Sequence, residues 1–386
     1  MHRTITLTGP GGLADRLGPS IKAAADDIEA RGEIPAALIA ELRDAGAFGL
    51  FTPRELGGSE TTLPIALEMY DELARLDASV AWMVWNANFG FIAALLDPVG
   101  TRQIWSEGRP DPIFATGVPE GRAKPADHGY QVSGTWPLVS GLHAADWVLV
   151  VAVISYGGEP RRTEAGLPDV RLFAVPRARV TAATTGPTTG LRGAAQGVLL
   201  LDNVTVPEAL TAPLTVPAAI DRPLYRGFIP GLVLPGSAMI GLGAAAAAVD
   251  EVAGLAAGSE GGRPAWSDSP YAQVTIAQSE ADLKAARLLL YAAAWALQTA
   301  GEAEAEVTAQ QRADLRAAMS HAARVGRRVL TAMYELAGAA PLRPGSRLER
   351  QFRDGMAALQ HADLSGEAFT AAGRVRLGLP PGLLHF

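Results

Sequence analysis

The sequence predicts an α+β chain, mostly α, in which an all-β module sits between two helical parts. Three observations predict it. Residues 13–49 carry apolar side chains three and four apart. From about residue 112 the pattern switches to short β-rich runs bounded by Gly, Pro and Asp. After Pro223 helical periodicity returns and holds to the end. At 386 residues the chain exceeds the usual single-domain size. The pattern changes divide it into a helical 1–111, a β module at 112–222 and a helical 223–386.

In the first part Pro35 stands at a helix start, and FTPRELGGSE (51–60) is a loop punctuated by Pro53 and Gly57-Gly58. Helical patterns follow at 62–75 and 79–96. In the second of these Trp82, Trp85, Phe89 and Ile92 recur at helical spacing, the mark of a core stripe or of a ligand wall. Asn86 and Asn88 interrupt it, and a buried amide needs partners.

The runs IFATGV, GYQVSGTW, WVLVVAVI, RLFAVP and GVLLLDNVTVP, with turns at Gly157-Gly158 and Gly186-Pro187, read as a small antiparallel barrel or sandwich. The densest stretch is GYQVSGTWPLVSGLHAADW (129–147). Its first residues alternate as a half-buried strand does, Gly134 breaks the alternation, and Ser140-Gly141 marks a corner where backbone can approach a ligand closely. A Trp, a hydroxyl and a glycine corner suit the floor under a flat, polar-edged ring. The same residues also make an ordinary hairpin with a core Trp.

The last part contains amphipathic patterns at 276–300 and 308–339 and a third helix at 348–374, lengths that suit a four-helix bundle. GLVLPGSAMIGLGAAAAA (231–248) is apolar, but Pro235 and several glycines interrupt it and Asp250-Glu251 close it. It reads as a tightly packed buried helix rather than a membrane span. Hydrophobic residues make up 48% of the chain and charged ones 19%, enough for a large core and too apolar for disorder. The net charge of −7, with no Lys/Arg block, argues against nucleic acid as a partner. Without cysteine there is no disulfide, thiolate nucleophile or Cys-bound metal, and the histidines show no metal-ligand spacing. The first residues lack a signal-peptide core, so a cytoplasmic protein is expected.

Five stretches then carry a resemblance: RELGGSE (54–60), DELARLDASVAW (71–82), GYQVSGTWPLVSGLHAADW (129–147), GLRGAAQGVLLLDNVTVP (190–207) and LERQFRDGMAALQHADL (348–364). In this order and spacing the chain resembles the oxygenase components of flavin-dependent two-component (group D) monooxygenases, which share the acyl-CoA dehydrogenase fold. The resemblance implies an N-terminal helical domain, a central antiparallel β-barrel and a C-terminal four-helix bundle that assembles a homotetramer. It also implies a hydroxylase that uses O2 and reduced FMN or FAD from a separate NAD(P)H-flavin reductase, acting through a C4a-hydroperoxide on an aromatic or polycyclic small molecule. A borrowed flavin requires no dinucleotide fingerprint, and none is present.

The alternatives are an FAD-containing acyl-CoA dehydrogenase-like dehydrogenase or oxidase, an N- or S-oxygenating variant such as a nitrososynthase, and a non-redox descendant of the scaffold. The dehydrogenase branch often carries a base Glu shortly after an Arg-Asp pair. Counting from Arg353-Asp354, the matching position is Ala362, preceded by His361. On a continuous helix the side chain of Asp363 would point about a hundred degrees away. With no carboxylate there, α-proton abstraction lacks an agent and the monooxygenase reading leads.

By the same resemblance Ser140 and His361 are the catalytic candidates, the hydroxyl near the flavin N5 and the imidazole as acid or base. Thr116, Trp136, Ser140, Gly141, Arg192 and Asn88 are expected to hold the cofactor; Trp85, Phe89, Tyr225, Phe228 and Leu232 are expected to line the substrate pocket. His143, near Ser140, is expected to face solvent. Phenol-hydroxylating relatives often place a second His on the helix that here carries Trp82 to Leu96, and this chain has Asn86, Asn88 and Phe89 there instead. Where relatives commonly have Ser or Thr after GLRG, it has Ala194-Ala195-Gln196. The first puts the phenol mechanism in doubt, so that either His361 does the deprotonation or the substrate is not a simple phenol; the second removes hydroxyl contacts and leaves a more apolar pocket.

Overall fold

The structure is a computed structural model. It describes residues 9, 12–106, 111–163, 166, 168–184, 186, 188–213, 218–258 and 265–383. Five helices come first: α1 (Leu13–Arg31), α2 (Ala36–Asp44), α3 (Leu63–Leu76), α4 (Ala78–Ala87) and α5 (Pro98–Ile104). Gly32 ends α1 in the left-handed conformation at φ 71°, its amide donating to the Ile28 carbonyl. Asp77 starts α4 by accepting from the Val80 amide. This helix is shorter than its pattern implies. It ends at Ala87, so Phe89 leaves the stripe that Trp82 and Trp85 share.

Among the described residues eight strands follow: β1 (Phe114–Ala126), β2 (Gly129–Val139), β3 (Trp147–Tyr156), β4 (Glu159–Pro160), β5 (Val170–Pro176), β6 (Thr181–Thr184), β7 (Gly197–Pro207) and β8 (Thr211–Pro213). They form one sheet in the order β6-β7-β2-β1-β3-β5-β8, with β4 attached to β3. The sheet is mixed rather than wholly antiparallel, because β1 and β3 run parallel, Phe114 beside Trp147 and Thr116 beside Leu149. That pairing has a topological cause. After β2 the chain must step across the start of β1 to reach β3, and residues 140–146 make the crossing, which brings the Ser140-Gly141 corner over Thr116.

Trp136 explains the glycines around it. A Cβ on Gly117, Gly121 or Gly134 would meet its ring at 2.9, 2.4 and 2.6 Å. Past it the β2–β7 register slips, Trp136 pairing with Leu199 and Val139 with Gly197. At this bulge Leu138 takes φ 57° and turns outward, 61% exposed.

The remaining helices are α6 (Pro223–Arg226), α7 (Pro230–Val233), α8 (Gly236–Ala257), α9 (Pro270–Glu302), α10 (Ala309–Leu336), α11 (Arg347–Ala358) and α12 (Glu367–Arg376). The apolar helix α8 is core, touching α3, α9, α10 and α11. Its small residues allow that. A Cβ on Gly241 would lie 2.2 Å from the Leu359 side chain and one on Gly243 would lie 2.8 Å from the Asp71 backbone. The helix expected at 348–374 is in fact two, separated by residues 359–366.

Candidate active site

Trp82 and Trp85 lie three residues apart on α4 and project together, ring centroids 4.6 Å apart at 64°. Each indole is tied by its N–H. Trp85 Nε1 donates to the Val233 carbonyl at 2.8 Å, and Trp82 Nε1 donates to Ser140 Oγ at 3.1 Å. Ser140 thus accepts from one partner and keeps its own hydroxyl proton for another. Its carbonyl takes the Asn86 amide at 3.2 Å, and the Asn86 oxygen accepts from Thr116 Oγ1 at 2.9 Å. Thr116, Asn86, Ser140 and Trp82 form one buried polar chain across the junction of α4 with the sheet.

His361 meets the same indoles from the other side, edge-on, with ring centroids 5.4 Å from Trp85 and 6.0 Å from Trp82. The two catalytic candidates, distant in sequence, are therefore joined through Trp82. His361 is not on a helix. It stands three residues beyond the end of α11 at ψ 136° and opens a short 3-10 turn, Ala362–Leu364. Asp363 therefore does not point away. Its carboxylate Oδ2 lies 3.3 Å from His361 Nδ1, and its Oδ1 accepts from Arg316 on α10 at 2.9 Å. Burial pushes the imidazole pKa below its ordinary value, Asp363 pulls it up and Arg316 pushes it down.

A loop holds these pieces in register. Residues 190–195, the GLRG stretch, carry two non-glycine left-handed residues, Leu191 at φ 53° and Ala195 at φ 45°. The Ala194 carbonyl accepts from the Gly141 amide at 2.8 Å. The Gly193 amide donates to Ser79 on α4, and the Leu191 amide donates to Asp354 on α11 at 2.7 Å. Desolvation, together with repulsion from Asp77, pushes Asp354 up to about 7.

Other expected residues lie elsewhere. Trp136 is a core side chain sealed beneath the sheet glycines rather than a flank of the ring site, and its indole N–H finds no partner. Asn88 serves the backbone: it accepts from Leu50 N at 2.9 Å and donates to the carbonyls of Ala47 and Val84 at 2.8 and 2.7 Å. Asn86 is the amide that joins the cluster. Arg192 pairs with Glu29 at 3.0 Å and the Thr188 carbonyl, on the wall of a cavity of about 460 Å³ that Leu142 and Ala195 also line. The exposed His143 lines that cavity too.

Of the expected substrate wall, Trp85 stands against His361. Phe89 packs on Phe91, Leu232 is buried, and Phe228 lies under the Arg312 guanidinium. Tyr225 is fully buried with its hydroxyl donating to the Phe51 carbonyl, a core contact rather than a pocket wall. Arg316 on α10 was not singled out by the sequence at all, and Asp363 was expected to point away because the helical pattern was carried through 359–366. Ser365-Gly366 was the breaker that could have stopped it.

The donor set fits a reduced flavin. A hydroxyl with an uncommitted proton, the neutral amide of Asn86 and two indoles meet at one corner, and the bulge turns the apolar Leu138 outward two residues away. Among the described residues no group of three or more His, Cys, Asp or Glu is placed to hold a metal ion.

Comparison with known proteins agrees. Residues 17–105 match the model of the acyl-CoA dehydrogenase N-terminal domain, and residues 236–365 that of the C-terminal domain. The chain is 30% identical over 385 residues to the indole-3-acetate monooxygenase of Pseudomonas putida, covering 94% of this chain and 95% of that one. It is 28% identical to the oxygenase component of the FADH(2)-dependent resorcinol hydroxylase of Rhizobium sp., over 93% and 92% of the two chains. Among solved structures, 3-HSA hydroxylase from Rhodococcus sp. RHA1 superposes with TM-score 0.89 at 23% identity, covering 95% of this chain and 96% of that one. TdsC from Paenibacillus sp. A11-2, solved with FMN and indole, gives 0.80 at 21% identity over 97% and 98%. The chain belongs to the flavin-dependent monooxygenases of the acyl-CoA dehydrogenase fold, as the oxygenase component of a two-component system.

Proposed function

We propose that this oxygenase hydroxylates a flat, largely apolar aromatic or polycyclic molecule, with Ser140 and Thr116 holding reduced FMN or FAD and His361 moving the proton. The flavin comes from a separate NAD(P)H-dependent reductase, and when bound it supplies the electrons that activate dioxygen. The observation that carries the reading is Trp82, which holds the Ser140 hydroxyl on its N–H and packs edge-on against His361.

Each residue has a stated task. The Ser140 O–H, its oxygen already fixed by Trp82, donates to an acceptor at the ring edge. Trp82 and Trp85 exclude water from the space beside it. The His361 imidazole, lowered by burial toward its neutral form, would accept a proton from the substrate and release it again. No second histidine on α4 is required, since Asn86 orients the Ser140 corner and takes no proton. The relatives named for indole-3-acetate and resorcinol act on compact aromatic rings, which supports the substrate class.

The organisation into 1–111, 112–222 and 223–386 belongs to the same reading, supported by strands that among the described residues run from Phe114 to Pro213. So do a cytoplasmic location and a homotetramer, the latter supported by the exposed apolar residues Leu288, Leu289 and Trp295 along α9. The test is anaerobic titration with reduced FMN and reduced FAD, then an oxygen pulse with and without an indole or phenol probe. Saturable binding and an oxygenated probe are expected. Failure to bind either reduced flavin overturns the reading.

A further inference from the structure

We propose that Asp363, anchored by Arg316, is a positioning residue that fixes the orientation and tautomer of His361, leaving Nε2 as the working nitrogen. This rests on the reading of His361 as the proton carrier, and its geometry stands apart from that reading. The end of α11 at Ala358 lets residues 361–364 fold back as a 3-10 turn, which is what brings the two side chains together. Two groups of Asp363 then face one ring nitrogen, the carboxylate Oδ2 at 3.3 Å and the backbone amide at 3.4 Å from Nδ1. A nitrogen cannot serve both. The amide is oriented to donate to Nδ1, but a full negative charge at 3.3 Å opposes a bare lone pair more strongly than one long amide contact favours it, and this assigns the proton to Nδ1, facing the carboxylate. Nε2 is left with the lone pair.

Arg316 keeps that carboxylate from turning away. Its side chain is only 4% exposed, and it donates from α10 to the other oxygen, Oδ1, at 2.9 Å. The two indoles of α4, which are neutral, pack edge-on against the imidazole, whose side chain stays 31% exposed. The charged groups that face His361 are thus Asp363 from its own turn and Arg316 from α10. They act in opposite directions on its protonation, Asp363 raising it and Arg316 lowering it. The imidazolium formed when Nε2 takes a proton is stabilised by Asp363, while Arg316 limits that stabilisation so that the proton can leave again. In this cycle the proton enters and leaves at Nε2, and the Nδ1 proton stays in place.

The experiment is a nitrogen-15 NMR titration of the histidine-labelled, flavin-free protein, with His361→Gln used to assign the signal. In the wild type the neutral ring is expected to carry its proton on Nδ1; a ring protonated on Nε2 overturns the proposal without any variant. Asp363→Asn should lower the His361 pKa by about one unit and reduce the Nδ1–H population, and Asp363→Glu should restore both. The acid limb of the kcat profile should move with the NMR value. An unchanged pKa and tautomer in Asp363→Asn overturns the proposal. If the NMR shifts appear while His361→Ala keeps full turnover, the positioning role stands and the proton-carrier reading falls.

Discussion

Replacing Asp354 with asparagine should make the stability of the protein less sensitive to pH. Asp354 is buried on α11, accepts from the Leu191 amide at 2.7 Å, and is raised from 3.8 to about 7 by desolvation and by repulsion from Asp77. A carboxyl group raised in the folded state stays protonated there after the unfolded chain has released its proton. Its stabilising contribution is complete below pH 4, declines as the pH rises from 4 to 7, and is gone above. A shift of about 3 units corresponds to roughly 4 kcal/mol at most. For a chain of this length that is on the order of 5 °C in Tm. Asparagine presents the same acceptor to Leu191 without the ionisation, so its melting curve should lack this decline. Asp354→Ala should instead leave a buried amide without a partner and lose about 1–3 kcal/mol at every pH. Thermal melts at intervals from pH 5 to 8.5 read all three proteins. If wild type and Asp354→Asn lose Tm in parallel across that range, the buried-carboxyl account is wrong.

Four further outcomes are expected. His361→Ala should reduce product formation by about 10²–10⁴-fold while leaving reduced-flavin affinity intact, as read by product chromatography beside the anaerobic titration. Ser140→Ala removes both the hydroxyl donor and the acceptor of the Trp82 N–H. Less product and more hydrogen peroxide per reduced flavin consumed should result, and an unchanged ratio would leave Ser140 a turn residue only. Asn88→Ala should lower thermal stability by about 1–3 kcal/mol with flavin affinity unchanged; a selective loss of affinity would return Asn88 to the cofactor site. Gly141→Ala places a side chain at φ 75° with its Cβ 2.6 Å from the Met83 sulfur. It should cost about 1–2 kcal/mol by the same melts.

The fold class was legible because its signals are local. Period-two runs and helical stripes announce strands and helices, and the GLGAAAAA stretch announces a helix that others approach closely. The parallel β1–β3 pair was not, because which neighbour a strand chooses depends on where the chain crosses, and residues 140–146 show a corner without a direction. At the site, Ser140 stood out by its glycine and His361 by its distance from Arg353-Asp354. Asn86 and Asn88 looked alike in sequence. Only packing distinguishes an amide that bonds the Ser140 corner from one that closes three backbone groups. Trp136 misled for a related reason: a strand residue next to a bulge reads as facing the ligand until the register shows which side is inward. Asp363 was lost to a single assumption, that helical spacing continued past residue 358.

That interruption has a consequence for any attempt to redesign the enzyme. Exchanging Ser365-Gly366 for strong helix formers is the kind of surface change commonly made for thermostability. Here it would invite 359–366 to wind on from α11, swing the acidic side chain off the imidazole, and yield a sturdier protein in which the proton carrier proposed above has lost its anchor. The short unwound segment is therefore a place where hardening the scaffold and keeping its chemistry pull against each other.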